Sequence, residues 1–138
     1  MPDYKTIFKG ESIKIEDFDE WHKRNTLKIC ESSHALPVGW ATKLINIYLK
    51  TRVYIGKEGR QDLIKWIHPP IDSGLWKGIH ENYSNIPQIY RKTHCVQKIQ
   101  DITTYERYKT IIDGCWLIAQ ERDCLLIEVE ELWQGTKI

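Results

Sequence analysis

The chain has 138 residues, 41% hydrophobic and 28% charged, with 20 Lys/Arg against 19 Asp/Glu. That size and balance fit one globular domain over 1–138 and exclude a disordered or linker-like chain. No apolar run approaches the roughly 18 residues that cross a bilayer, and Met1 is followed at once by Pro2, Asp3 and Lys5 rather than by a secretory leader. A cytoplasmic protein is the expectation.

Residues 4–15 alternate loosely and predict an extended lead-in or one short strand. A first helix is expected over 17–34, with Asp17 as its cap and Phe18, Trp21, Leu27, Ile29 and Cys30 on its apolar face. Pro37 breaks the chain and suits a helix start. From Val38 onward Ala41, Leu44, Ile45, Tyr48, Leu49 and Val53 recur at helical steps, which predicts a helix ending near Gly56.

Residues 56–70 read as a basic connection around the apolar piece Leu63–Ile67, closed by Pro69 and Pro70. Asp72 is placed to cap a short helix over 73–81 that carries Leu75, Trp76 and Ile79. Residues 82–98, interrupted by Pro87, show no single pattern. Thr103 and Glu106 have capping-box spacing ahead of a helix over 104–121, and Gly114 inside it implies close packing. Residues 125–133 are expected to form a short helix ending near Gly135. The sum is a mainly α-helical domain of about five helices, with six tryptophans and seven tyrosines to build its core.

The charge is unevenly spread. Residues 40–98 carry 10 Lys/Arg against 4 Asp/Glu, net +6, whereas residues 99–138 carry 4 against 8, net −4. A basic middle can face phosphates, or it can pack beside the acidic end. The four cysteines, Cys30, Cys95, Cys115 and Cys124, form no C-x-x-C pair and read as reduced thiols; neither they nor the five histidines have metal-ligand spacing, so no metal and no cofactor is expected.

One constellation points to chemistry. Leu36-Pro37-Val38-Gly39-Trp40-Ala41-Thr42-Lys43 is a turn into a helix with an early lysine, and His68-Pro69-Pro70-Ile71-Asp72 is a proline turn ending on a helix cap. This order resembles the helix-hairpin-helix DNA glycosylases of the 8-oxoguanine type. The resemblance, over residues 36–79, implies Lys43 as nucleophile, Asp72 as the carboxylate, and Gly39 in a hairpin that offers backbone N–H groups to a phosphate. An amine can attack the anomeric carbon, a fixed carboxylate stabilises the developing positive charge, and aromatic rings hold a base taken out of the stack. Trp40, Trp66 and Trp76 flank the motifs, although tryptophans such as Trp40 and Trp76 are more often core. Lys50, Arg52, Lys57, Arg60 and Lys65 lie between the motifs and are placed to track a DNA backbone. The competing expectation is a non-enzymatic helical module, a small bacterial or phage accessory or inhibitor protein, that binds another protein through exposed aromatic residues.

Overall fold

The structure, a computed structural model, describes residues 12–32 and 36–133. The predicted lead-in over 4–15 falls mostly outside the described residues, as do His34 and Gly135. The fold is mainly helical, and no strand occurs among the described residues. Five α-helices are described: α1 (Ile15–Ser32), α2 (Val38–Leu49), α3 (Ser73–Tyr83), α4 (Pro87–Thr93) and α5 (Tyr105–Arg122). Helical turns of 3-10 type at Gln61–Lys65, Ile99–Asp101 and Leu126–Leu132 join or end them.

Helix α1 begins two residues before the expected cap, so Asp17 lies inside its first turn with Glu16, where negative charge suits the helix dipole. Its buried face is also rotated from the expected one. Phe18, Trp21, His22, Asn25 and Thr26 are buried, and Leu27 is exposed. Three polar residues thus occupy a stripe that the apolar residues alone did not reveal.

Helix α2 opens after Pro37 as expected and continues beyond Leu49 as a π-helical stretch, Lys50–Ile55. There the Gly56 N–H reaches back five residues to the Thr51 carbonyl at 2.9 Å. The wider turn keeps Val53 fully buried after Leu49. Gly56 ends the segment but keeps a right-handed backbone; the left-handed residues that follow are Lys57 and Gly59.

Asp72 caps α3 as expected, and α3 runs on to Tyr83. The patternless stretch 82–98 contains α4, started by Pro87. Thr104 caps α5 in place of Thr103, its hydroxyl accepting from the Arg107 N–H at 3.2 Å. Gly114 does pack closely: a Cβ there would lie 2.6 Å from Thr93 Cγ2, so α5 and α4 approach nearly backbone to backbone. The expected terminal helix is the tighter 3-10 turn Leu126–Leu132, which buries Leu126, Ile127, Val129 and Leu132.

Two apolar clusters result. One gathers Val38, Leu75, Trp76 and Ile79 with Tyr105, Tyr108, Ile111, Ile112 and Cys115 of α5. The other gathers Phe18 and Trp21 of α1 with Ile45, Leu49, Val53, Leu63 and Ile67. Each fully buried side chain of this size contributes about 1.5–3 kcal/mol. His22, Asn46 and His68 occupy the seam between the clusters: Phe18 touches both imidazoles, and Tyr108 packs on them from the opposite cluster. No described helix is long and apolar enough to cross a membrane.

Candidate functional site

Lys43 and Asp72 stand 29 positions apart in sequence and line the same cleft. Lys43 is on the second turn of α2, and Asp72 is the residue that starts α3. The cleft has a volume of about 450 Å³, and Ile47, Lys50, Glu130 and Trp133 form the rest of most of its wall.

The Asp72 carboxylate is held at both oxygens. Oδ1 accepts from the Leu75 N–H at 3.0 Å, which is the helix cap, and Oδ2 accepts from the Trp133 indole N–H at 3.2 Å. The indole sits against Gly74, where a Cβ would come within 2.6 Å of Trp133 Cε2. Only glycine at position 74 allows the ring this close. The result is an oriented carboxylate beside a half-exposed aromatic ring. Lys43 places its ammonium over the Trp40 ring, 5.2 Å from the centroid, and forms no ion pair among the described residues. Trp40 itself is 41% exposed, so it is a surface residue rather than core, whereas Trp76 is buried with its indole donating to the Thr93 carbonyl at 2.7 Å.

The remaining expected nucleic-acid contacts are largely committed elsewhere. Gly39 is buried and donates its N–H to the Ile102 carbonyl at 2.9 Å, so it does not present that group to a phosphate. Lys50 forms an ion pair with Glu130 inside the cleft. Arg52 pairs with Glu58 at 3.6 Å, and Arg60 grips Asp62 through two hydrogen bonds of 3.1 and 2.7 Å. Lys57 and Lys65 lie over the Tyr54 and Trp66 rings at 5.7 and 5.0 Å. With Lys43 and Lys50 facing Asp72 and Glu130, the cleft wall carries equal numbers of cations and anions. In part the basic middle does pack against the acidic end, as the Lys50–Glu130 pair shows.

No family model, curated protein or solved structure matches the chain. Among the described residues no group of three or more His, Cys, Asp or Glu is placed to hold a metal ion.

A second set of chemistry-bearing residues has no motif in the sequence. His22, Asn46, Tyr105, Tyr108 and His68 form one buried hydrogen-bond chain. His22 Nε2 lies 2.8 Å from Asn46 Oδ1, Asn46 Nδ2 lies 2.8 Å from the Tyr108 hydroxyl, and that hydroxyl lies 2.7 Å from His68 Nδ1. Tyr105 closes the other end, its hydroxyl 2.8 Å from His22 Nδ1. Burial pushes the His22 imidazole down to about 4 and His68 well below its ordinary value, so both rings are neutral at pH 7. Neutral rings fix the direction of the chain. The Asn46 amide nitrogen also points at the Pro69 carbonyl, which sets the amide orientation. His22 then donates from Nε2 to Asn46, Asn46 donates to Tyr108, and Tyr108 donates to His68 Nδ1. His68 carries its own proton on Nε2, which faces Asp19 Oδ1 at 4.0 Å. Burial pushes both tyrosine hydroxyls up, so they stay protonated as the chain requires. The signal available in the sequence was positional: His22 falls one residue after Trp21 and Asn46 one after Ile45, each on a helix's buried face.

Proposed function

We propose that the chain binds DNA and acts on an unstacked nucleotide in the Lys43–Asp72 cleft, removing a modified base. The observation that carries this reading is that Lys43 and Asp72, distant in sequence, line one open cleft whose carboxylate is held at both oxygens. In that reading the Lys43 amine, in its unprotonated form, adds to the anomeric carbon. The bond from that carbon to the base breaks, and its electron pair and the proton shed by the amine leave with the base. Asp72 stabilises the positive charge that develops on the sugar. Trp133 offers a flat surface beside the carboxylate for the displaced base.

The paired state of Lys50, Arg52 and Arg60 shapes the expected affinity. Each phosphate neutralised contributes about 0.9 to the slope of log affinity against log salt. With Lys43, Lys57 and Lys65 as the expected cations outside ion pairs, the slope should be shallow, roughly −2 to −3. The test combines salt-dependent binding of duplexes bearing modified bases with borohydride trapping. A trapped covalent species on one such duplex supports the reading. Absence of both trapping and salt-sensitive binding removes it.

A second reading rests on an apolar stripe that adjoins the cleft and shares Ile47 with it. Trp40, Leu44 and Ile47, spaced four and three residues apart on α2, are 41%, 51% and 42% exposed. Such a stripe on one helix face suits docking of another protein or a second copy. Leu44→Glu should abolish any self-association seen by sedimentation; a wild-type chain that stays monomeric at high concentration leaves only a heterologous partner for this face.

A further inference from the structure

Lys50 and Glu130 form an ion pair inside the Lys43–Asp72 cleft, with 29% and 25% of their side chains exposed. The C-terminal turn Leu126–Leu132 holds the carboxylate there. At three residues per 3-10 turn, Glu130 and Trp133 fall on one face, and the Trp133 N–H bonds the Glu130 carbonyl at 2.9 Å. The Trp133 indole reaches Asp72, and its ring lies against Gly74; the Leu132 carbonyl packs on Gly78, four residues further along α3. The turn is thereby fixed on α3 while Glu130 crosses to Lys50, the residue after α2. One end of the cleft thus carries an ammonium at a set position.

Lys43, Ile47 and Lys50 recur four and three residues apart and share one helix face. Seven residues at the helical rise separate Lys43 from Lys50 by about 10 Å along the axis. A nucleophile and the group it displaces lie on opposite sides of the carbon under attack. With the Lys43 amine about 3 Å from an anomeric carbon, the base points away from Lys43, toward the Lys50–Glu130 end. There it needs a proton, because an uncharged base that leaves with the bonding pair becomes an anion. Among the described residues that line the cleft, Asp72 and Glu130 are carboxylates, and the Lys43 amine must be unprotonated to attack. The Trp133 indole N–H is committed to Asp72. That leaves Lys50.

We propose that Lys50 is the general acid of this cleft, donating to the departing base from a position set by Glu130, and that neutral modified bases are therefore its substrates. The assignment rests on the reading of the cleft as a base-removing site. Lys43 Nζ bonds the anomeric carbon as the bond to the base breaks. The bonding pair goes to the base, whose nitrogen takes a proton from Lys50 Nζ. Lys50, now neutral, recovers the proton that Lys43 sheds on joining the sugar. Glu130 favours that recovery, because a carboxylate beside the amine stabilises its charged form. A base that is already cationic leaves as a neutral molecule and needs no such donor.

The test is single-turnover base release by the full chain from two duplexes, one bearing neutral 8-oxoguanine and one bearing cationic 7-methylguanine. Lys50→Arg keeps the positive charge beside Glu130, but a guanidinium does not give up its proton. It should slow 8-oxoguanine release by about a hundredfold or more, as loss of a general acid does, and change 7-methylguanine release less than about threefold, at unchanged duplex affinity. Glu130→Gln should show the same selectivity with a smaller loss. In the unsubstituted chain, heavy water should slow release of 8-oxoguanine and not of 7-methylguanine, a result that needs no variant to fold. If 8-oxoguanine alone is released, its slowing in Lys50→Arg at unchanged affinity supports the assignment. Equal slowing of both bases, no slowing of 8-oxoguanine, or release of 7-methylguanine alone by the unsubstituted chain overturns the assignment and leaves the cleft a base-removing site. Release of neither base counts against that reading of the cleft and takes the assignment with it.

Discussion

The Tyr108 hydroxyl donates to His68 Nδ1 at 2.7 Å while accepting from the Asn46 amide at 2.8 Å, so one oxygen joins α5, α2 and the 68–70 turn in the middle of the core. Tyr108 is fully buried. Replacing it by Phe deletes the oxygen and leaves a buried imidazole nitrogen and an amide hydrogen without their partner. Each such orphan costs about 1–3 kcal/mol, whereas the apolar ring is retained. Tyr108→Phe should lower unfolding free energy in urea by about 2–4 kcal/mol. A loss below about 0.5 kcal/mol would show that the chain contributes nothing to stability.

The same chain makes stability depend on pH. His22 and His68 titrate lower in the folded chain than in the unfolded one, so the unfolded chain binds more protons below the ordinary imidazole value of 6.5. Their stabilisation is complete above that value and is lost as pH falls toward 4. For His22 alone the fall amounts to about 3 kcal/mol. Asp19 runs the other way, since burial raises its carboxyl: its contribution is fully present below 3.8 and is lost as pH rises through its folded value. It is partly exposed, so solvent screening weakens its contribution. Urea midpoints measured from pH 7 to pH 4 should fall steadily; a flat profile would mean that the imidazoles are not buried neutral.

The C-terminal turn is pinned to α3 at Gly78, where an added Cβ would run into the backbone carbonyl of Leu132. Backbone cannot move aside as a side chain can. Alanine gains about 1 kcal/mol of helix propensity over glycine, but overpacking of this kind costs about 1–3 kcal/mol. Gly78→Ala should therefore be net destabilising in thermal unfolding and should release the 126–133 segment to proteolysis. A stabilised variant would show that this segment does not pack on α3.

Asp72 has a structural task as well as its proposed chemical one, and two substitutions separate them. Asp72→Ala removes the cap on Leu75 and the bond to Trp133, and should cost about 1–2 kcal/mol of stability. Asp72→Asn keeps an acceptor for one of those N–H groups and should fold nearly normally. It should nevertheless lose base removal, because its amide cannot offset positive charge on the sugar. Equal activity of Asp72→Asn and the unsubstituted chain would reduce Asp72 to a helix cap.

Much of the helical layout is written in local patterns. Pro37, Asp72 and Pro87 start helices because each presets or satisfies the backbone at a first turn. What local pattern does not carry is which polar residues go inside. His22 and Asn46 lie on buried faces because partners up to 83 positions away complete their hydrogen bonds, whereas Asn25 and Thr26 bond to carbonyls four residues back in their own helix. For the same reason Leu27 and Leu44, apolar and in helical register, are turned to solvent. The π-helical stretch after Leu49 has no signature in residue type. Lys43 and Asp72 were visible as a pair, but Trp133, which holds the Asp72 carboxylate, stands 61 positions from it, and no motif joins them. The charge run over 40–98 suggested an electropositive surface. Of the ion pairs at Lys50, Arg52 and Arg60, the first brings in a carboxylate of the acidic end, Glu130, and only the folded geometry shows it.

The most direct measurement is peptide mapping of the protein after borohydride reduction with a duplex carrying a modified base. The account predicts a sugar adduct on Lys43, absent in Lys43→Gln and strongly reduced in Asp72→Asn. An adduct confined to other lysines, or none on any modified duplex that the protein binds, would contradict it.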